Sequence, residues 1–131
     1  MAHSGIGDYS HIAYNRSDPF NLPAMVKPTE LLILTVLAAG DRHGYGIRQD
    51  VLAHTDGEVE IEAGNLYRQL RGLEDDGLVA QAPAPRNESD ERRIYYRLTP
   101  AGRRALAAEM HRLRELVRFA ETLGILKPVG A

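Results

Sequence analysis

Apolar side chains repeat at helical spacing between residues 62 and 79. Leu66, Leu70 and Leu73 occupy positions i, i+4 and i+7, one stripe of a 3.6-residue period. The stripe predicts an amphipathic helix buried along its leucines, and Gly77 can take the left-handed conformation that ends a helix. The other face carries polar groups suited to phosphates and base edges. These are Asn65, Tyr67, Arg68 and Arg71. A surface helix with ordinary solvated charges is the alternative interpretation.

Two further helices are predicted before this one. Residues 31–37 are apolar on nearly every side, which indicates a buried helix with Thr29 as its N-cap. A glycine-containing turn over residues 41–47 leads to a short helix that ends near His54. Helix, turn and helix in this order fit a helix-turn-helix fold. Residues 58–61 alternate polar and apolar side chains and predict one short strand.

Two strands are predicted after the central helix. The first covers residues 78–82, and the second covers residues 93–98 with Ile94, Tyr96 and Leu98 on one face. The loop between them, residues 86–92, contains no apolar side chain. A ribbon with a charged tip after a helix-turn-helix is a wing, and a plain surface hairpin is the alternative. Its cations suit a nucleic-acid backbone, whereas its acidic side chains would oppose phosphates. The cations are Arg86, Arg92 and Arg93, and the acids are Glu88, Asp90 and Glu91.

The last predicted helix is long. Thr99 is a suitable N-cap, Pro100 fits the first helical position and Gly124 marks the end. Apolar residues then follow at spacings of four, three, four and three, as in a heptad seam. They are Leu106, Met110, Leu113, Val117 and Ala120. We interpret the seam as a dimer interface. Packing on the first helix is the alternative, and both contacts can coexist on two sides of the stripe.

Composition limits the classes of protein. The chain has 131 residues, a net charge of -2 and no cysteine, which excludes disulfides and thiolate metal sites. No apolar run is long enough to span a membrane, and the first residues lack the pattern of a secretory signal, so a cytoplasmic protein is expected. The negative charge is unusual for a nucleic-acid binder, although binding needs only a local basic patch. Residues 1–28 show no period and predict an irregular arm.

Catalytic and metal chemistry find little support. The histidines are scattered, without metal-ligand spacing, so no metal site and no cofactor are predicted. They are His3, His11, His43, His54 and His111. The sequence contains no phosphate-binding loop and no nucleophile elbow. The acidic run from Glu74 to Asp76 fits a solvated helix end. We therefore predict that the chain is not an enzyme and has no catalytic residues.

Three motifs in order resemble the PadR family of bacterial transcription regulators. They are H-G-Y-G-I at residues 43–47, G-N-L-Y-R-Q-L-R-G-L-E-D-D-G-L-V at 64–79 and Y-Y-R-L-T-P-A-G at 95–102. The resemblance covers about residues 29–126. It implies a mostly α protein with a small β wing, namely a winged helix-turn-helix at residues 29–98 and a dimerisation helix with a short tail at 99–131. A single C-terminal helix is similar to the compact branch of the family.

The resemblance also implies a function. Such proteins are usually homodimeric repressors that leave a double-stranded DNA operator when a small, often aromatic or drug-like, compound binds. The residues implied in DNA binding are Tyr45, Gly64, Asn65, Tyr67, Arg68, Arg71, Arg92 and Arg93. In a dimer, Met110, Leu116 and Phe119 would line an effector cavity, although such residues also commonly close a solid core. The family usually has Ser-Pro before the central glycine, where this chain has Glu62 and Ala63. Glu62 can still be expected to cap the helix, but it brings a negative charge near a phosphate. The alternative function is a winged-helix module that binds a protein partner.

Overall fold

The computed structural model describes residues 26–130, which form four helices and three short strands. The helices are α1 (Pro28–Ala38), α2 (Gly44–His54), α3 (Ala63–Asp75) and α4 (Pro100–Thr122). The strands are β1 (Arg42–His43), β2 (Val79–Ala82) and β3 (Tyr95–Leu98). This is the predicted mostly α fold with a small β wing. Most of the predicted N-terminal arm, residues 1–25, lies outside the described residues.

Helix α1 begins two positions earlier than its sequence suggested. Lys27 is the N-cap, and its backbone N–H donates to the Glu30 carboxylate at 3.4 Å. Pro28 takes the first helical position, where its missing N–H costs no hydrogen bond. The prediction of Thr29 as the N-cap is therefore wrong. Thr29 lies in the first turn, and its hydroxyl donates to Gln69 Oε1 at 2.9 Å, which ties α1 to α3.

The sheet contains a strand that the sequence did not reveal. The strand order is β1-β3-β2, and both pairings are antiparallel. Residues 41–47 were predicted to be a turn, but Arg42 and His43 pair with β3, and α2 begins directly after them at Gly44. Two-residue strands carry too little periodicity to be recognised in a sequence. Pairing with β3 brings the first residues of α2 beside the wing.

Strand β3 is shorter than predicted. It begins at Tyr95 instead of Arg93, and Ile94, expected on the buried face, is 49% exposed. Tyr96 and Leu98 are buried as predicted. The pairing of β3 with β2 ends at Tyr95 and Ala82. The residue after Ala82 is Pro83, which has no N–H to donate.

The predicted strand at residues 58–61 is absent from the structure. Ile61 is buried as its alternating pattern implied, but no strand of the sheet pairs with this backbone. The N–H of Val59 donates to the Thr55 hydroxyl at 3.0 Å. Arg48 Nε donates to the carbonyl of Ile61 at 2.7 Å. Alternation here reports which side chains face the core, and the segment stays an extended loop between α2 and α3.

The core gathers around α1 and α3. The stripe Leu66, Leu70 and Leu73 is fully buried, as predicted, and Gly77 adopts a φ of 76° just after the helix. Helix α1 packs against α2, α4 and β3, so this chain itself buries the residues from Ile33 to Leu37 that face inward. A second subunit is not needed to cover most of α1.

Helix α4 starts in close contact with the backbone that follows α3. Thr99 is the N-cap as predicted and accepts from the N–H of Gly102 at 2.9 Å. The Thr99 hydroxyl also donates to the carbonyl of Gly77 at 2.6 Å. A Cβ at Gly102 would collide with the carbonyl oxygen of Leu78 and lie 2.7 Å from Leu98 Cδ1. Only a glycine allows this approach, which sets the position of α4 relative to α3.

Replacing Gly102 tests this joint. We expect Gly102→Ala to lower the free energy of unfolding by about 1–3 kcal/mol, because the new methyl group has no space. Gly72→Ala is the matched control, since Gly72 is also helical and a Cβ there meets nothing within 4 Å. The control should raise stability by about 0.5–1 kcal/mol through helix propensity. Urea denaturation at one protein concentration measures both; equal stabilities for the two variants would show that the joint is not tight.

Candidate nucleic-acid interface

Helix α3 presents its polar face to solvent. Gly64, Arg68 and Arg71 are exposed and lie opposite the buried leucines. The Arg68 guanidinium donates to Asn65 Oδ1 at 3.2 Å, which aligns the two side chains along the helix. Glu62 occupies the N-cap position but makes no side-chain capping bond, so the expectation that it caps the helix is wrong. Within residues 26–130, the first N–H groups of α3 therefore receive no capping bond from the Glu62 side chain.

Tyr67 connects α3 to the start of α2. Its ring lies against Gly44, where an added Cβ would be only 2.7 Å from Tyr67 Cζ and would collide with the hydroxyl oxygen. Gly44 is required by this close approach. The sequence left open whether Tyr67 covers the core or faces a nucleic acid. Tyr67 is 46% exposed and contacts the start of α2, so the outer surface of its ring is available.

His43 joins α2 to the wing, and sequence reasoning missed it. It is the N-cap of α2, and its Nδ1 accepts from the N–H of Gly46 at 3.0 Å. Its ring stacks at 6.4 Å from that of Tyr45 and meets the Tyr95 ring edge-on at 5.2 Å. Its Nε2 lies 3.2 Å from a guanidinium nitrogen of Arg93. A histidine immediately before a helical Gly-Tyr-Gly was the available signal, because imidazole nitrogen can cap a helix.

The wing tip is organised by Glu88. Although the tip is polar, the side chain of Glu88 is only 7% exposed. It accepts from the Tyr95 hydroxyl at 2.5 Å and from the N–H of Asp90 at 2.9 Å, and lies 3.5 Å from the Arg93 guanidinium. The bond from Tyr95, followed by that from Asp90, lowers the pKa of Glu88 below its ordinary value. The same bond raises the pKa of Tyr95, because the phenolate would face a carboxylate.

The other two acids of the tip differ from one another. Asp90 accepts from both the Nε and the NH2 group of Arg92, at 3.2 and 3.3 Å, which lowers the pKa of Asp90. Arg92 nevertheless remains 91% exposed. Glu91 is exposed, and its side chain makes no hydrogen bond or ion pair with residues 26–130. The three acids of the tip are therefore not equivalent, because two of them bind other groups of the wing.

These elements enclose an open cleft of about 420 Å³. One wall is His43, Gly44, Tyr45 and Tyr67, from the start of α2 and from α3. The other is Asp90, Arg92, Arg93 and Ile94, from the wing. The structure thus brings four of the predicted DNA-binding residues, Tyr45, Tyr67, Arg92 and Arg93, to one cleft. The other four, Gly64, Asn65, Arg68 and Arg71, follow the outer face of α3.

Comparison with known proteins identifies the family. The profile of the transcriptional regulator PadR-like family matches residues 33–108, more than half of the chain. Transcriptional regulator Rv3488 of Mycobacterium tuberculosis is 37% identical over 94 residues, which cover 72% of this chain and 81% of the relative.

The chain belongs to the PadR-like family of transcriptional regulators.

Solved structures show the same fold. A PadR family transcription regulator from Clostridium difficile superposes with a TM-score of 0.61 at 24% identity, covering 72% of this chain and 95% of that one. The Bacillus subtilis PadR, solved in complex with operator DNA, superposes with a TM-score of 0.56 at 20% identity. That match covers 64% of this chain and 48% of the other. These likenesses agree with the winged-helix architecture expected from the sequence.

Membership of the PadR-like family bears on the remaining chemistry. The family and the relative are transcriptional regulators, which confirms the prediction that the chain is not an enzyme. Among residues 26–130, no three His, Asp or Glu side chains are grouped as metal ligands. Each helix that the structure describes is too short or too polar to cross a bilayer.

The residues predicted for the dimer interface divide between two environments on α4. Leu106 is buried in this chain's own core, whereas Met110 and Val117 are substantially exposed. Leu113 and Ala120 are half-buried. Further exposed apolar side chains extend the surface toward the end of the chain: Leu116, Phe119, Leu123, Ile125 and Leu126. Helix α4 therefore packs on the body through its first half and leaves an apolar surface along its second half.

Proposed function

We propose that this PadR-family protein is a sequence-specific DNA-binding repressor that acts in the cytoplasm as a homodimer and responds to a small aromatic effector. The observation that carries the proposal is the combination of an exposed cationic face on α3 with a wing whose arginines border the adjacent cleft. The Bacillus subtilis PadR structure with operator DNA supports the same use of the fold.

Helix α3 is suited to the major groove. It is 13 residues long, about 20 Å, and one side is fixed by its buried leucines. Arg68 and Arg71 extend from the opposite side, and arginine is the side chain that most often reads guanine through its O6 and N7 atoms. The amide of Asn65, which accepts a hydrogen bond from Arg68, can also form hydrogen bonds with adenine or with a phosphate. We assign sequence recognition to this face, with Gly64 allowing close approach of the backbone.

The cleft residues are suited to the DNA backbone. Arg92 is almost fully exposed, and Arg93 lies at the mouth of the cleft opposite Tyr45 and Tyr67. Guanidinium and phenol groups donate hydrogen bonds to phosphate oxygens, and such contacts set the position of a protein on DNA without reading sequence. We therefore divide the candidate contacts into a reading face on α3 and a positioning group in the cleft.

We assign dimer formation to the second half of α4. Leu116 and Phe119 are large and well exposed in the single chain, and a continuous apolar surface of this kind is typical of an interface. A two-fold dimer would set the spacing of the two α3 helices, which must be about 34–36 Å to enter successive major grooves. Residues 29–98 would then be the DNA-binding domain and residues 99–131 the dimerisation segment.

The effector site is proposed where the two copies of α4 would meet. Met110, Leu116 and Phe119 are exposed on this helix, and methionine can repack around ligands of different shape. The same side chains would close a solid interface if no ligand bound. A ligand can release DNA only if it prefers a dimer with a different spacing of the α3 helices. The contact of Gly102 with Leu78 would carry such a change from α4 to the end of α3.

A protein-interaction module is the second candidate. It is favoured by the net charge of -2 and by Glu62 at the start of α3, whose carboxylate makes no capping bond to the helix. A carboxylate there repels a phosphate and attracts a basic partner. The two candidates predict different behaviour toward duplex DNA, which the following experiment measures.

Selection of bound duplexes from a random DNA pool tests the proposed function. We expect one enriched, roughly palindromic sequence. A plot of log affinity for this duplex against log salt concentration should have a slope of about -0.9 for each phosphate contacted. Arg71→Ala should weaken binding to the selected duplex by about 1–3 kcal/mol and relax preference at one base pair. Arg68→Ala should behave similarly. Gln69→Ala, on the inner side of α3, controls for general damage to the helix. Recovery of no sequence, with a shallow salt dependence, would favour the protein-interaction module.

Oligomeric state tests the role of α4. We expect light scattering to give a dimer at micromolar concentration, and Leu116→Glu to give a monomer because the charge would be buried at the interface. Met110→Glu should act in the same direction but also disturb the nearby core. Ala107→Glu is the matched control, because Ala107 is exposed on the polar side of the same helix. A wild-type monomer at this concentration would disprove the assignment.

Thermal shift with flat aromatic compounds tests the effector site. A true effector should raise the melting temperature of the dimer and weaken binding to the selected duplex. Phe119→Ala should reduce both effects, since the ring would no longer contact the ligand. Compounds that stabilise the dimer while leaving its affinity for DNA unchanged would show a pocket that is not coupled to DNA binding.

A further inference from the structure

The wing contains one carboxylate that is bonded inward. Most side chains of the tip are exposed, but the side chain of Glu88 is nearly buried and receives hydrogen bonds from the Tyr95 hydroxyl and the Asp90 N–H. The Arg93 guanidinium lies 3.5 Å from it. Glu88 therefore has a structural task within the tip.

Glu88 is connected to the start of α2 by a short chain of contacts. Arg93 lies between Glu88 and His43, with its NH1 nitrogen 3.5 Å from the Glu88 carboxylate and 3.2 Å from His43 Nε2. Tyr95 likewise binds Glu88 through its hydroxyl and meets the His43 ring edge-on. His43 is itself held as the N-cap of α2. Tyr95 thus connects Glu88 to His43, so the carboxylate helps to hold the wing against α2.

The position of Arg93 depends on this arrangement. Its side chain is 41% exposed and borders the cleft, where a backbone phosphate would meet it. An unsupported arginine samples many rotamers, and ordering it on binding costs conformational entropy. An arginine already paired with a carboxylate loses less freedom when it binds a phosphate.

We infer that Glu88 is a positioning residue for DNA binding, which orients Arg93 and Tyr95 so that the wing meets a backbone phosphate at the cleft. The inference rests on the proposed function. It runs against the simple electrostatic expectation, in which every carboxylate of the tip repels DNA and its removal strengthens binding. Glu88 and Glu91 thus have opposite effects, although both are acids of the same loop.

A pair of matched substitutions separates positioning from charge. Glu88→Gln and Glu91→Gln each remove one negative charge from the same loop while keeping the length of the side chain. On the duplex selected by the wild-type protein, we expect Glu91→Gln to bind up to about threefold more tightly, because a repulsive charge is gone. We expect Glu88→Gln to bind about three- to tenfold more weakly, with a salt slope smaller by about one because the phosphate contact of Arg93 is lost.

Tyr95→Phe repeats the test without a change of charge. It removes the hydroxyl that binds Glu88 but keeps the ring beside His43. If Glu88 positions Arg93 and Tyr95, this variant should bind DNA more weakly. Electrostatic repulsion alone predicts no change in affinity, because the charge is the same. If Glu88→Gln and Glu91→Gln strengthened binding equally and Tyr95→Phe had no effect, the inference would be overturned.

A titration without DNA reports on the contact itself. In the wild-type protein the pKa of Tyr95 is raised above its ordinary value of about 10 by its bond to Glu88. NMR of ring-labelled tyrosine should show this pKa falling in Glu88→Gln and unchanged in Glu91→Gln. An unchanged pKa in Glu88→Gln would overturn the inference even if the protein binds DNA. Failure of the wild-type protein to bind any duplex would instead overturn the proposed function, and with it the role of Glu88 in DNA binding.

Discussion

The leucine stripe of α3 is the constraint on which the rest of the structure depends. Leu66, Leu70 and Leu73 are fully buried, and each such side chain contributes about 1.5–3 kcal/mol by leaving water. Rotation of α3 about its axis would expose these side chains, so the helix has one stable orientation. Arg68 and Arg71 point outward for the same reason. The orientation of the proposed reading face is therefore set by hydrophobic burial within the chain itself.

Two close approaches then place the neighbouring elements around α3. Gly44 lets the ring of Tyr67 rest against the start of α2, and Gly102 lets α4 touch the backbone of Leu78. Neither glycine has a positive φ, so the requirement is space and not backbone conformation. The first contact shapes the cleft, and the second joins the proposed dimer helix to the end of α3. A larger side chain at either glycine would move one element relative to the other.

The wing shows why a count of charges is a poor guide to DNA binding. The chain has a net charge of -2, and the tip holds three acids. In the structure Asp90 binds Arg92 and Glu88 binds Tyr95 and lies beside Arg93, so two of these acids order the side chains proposed to meet phosphates. What matters at an interface is the local field and the freedom of each cation, and both depend on contacts that composition does not report.

The sequence by itself determined the helices, because burial with a period of 3.6 residues, the Thr99 N-cap and the glycine at residue 77 are local signals. It also identified most of the exposed face of α3, since the side opposite a leucine stripe must face outward. Only the tertiary structure decided three features: strand β1, the unpaired segment at residues 58–61 and the role of His43. Each of these depends on partners distant in the chain: β1 on β3, the carbonyl of Ile61 on Arg48, and His43 on a wing 50 residues away. A local pattern shows which side chains turn inward, but it does not show which groups they meet there.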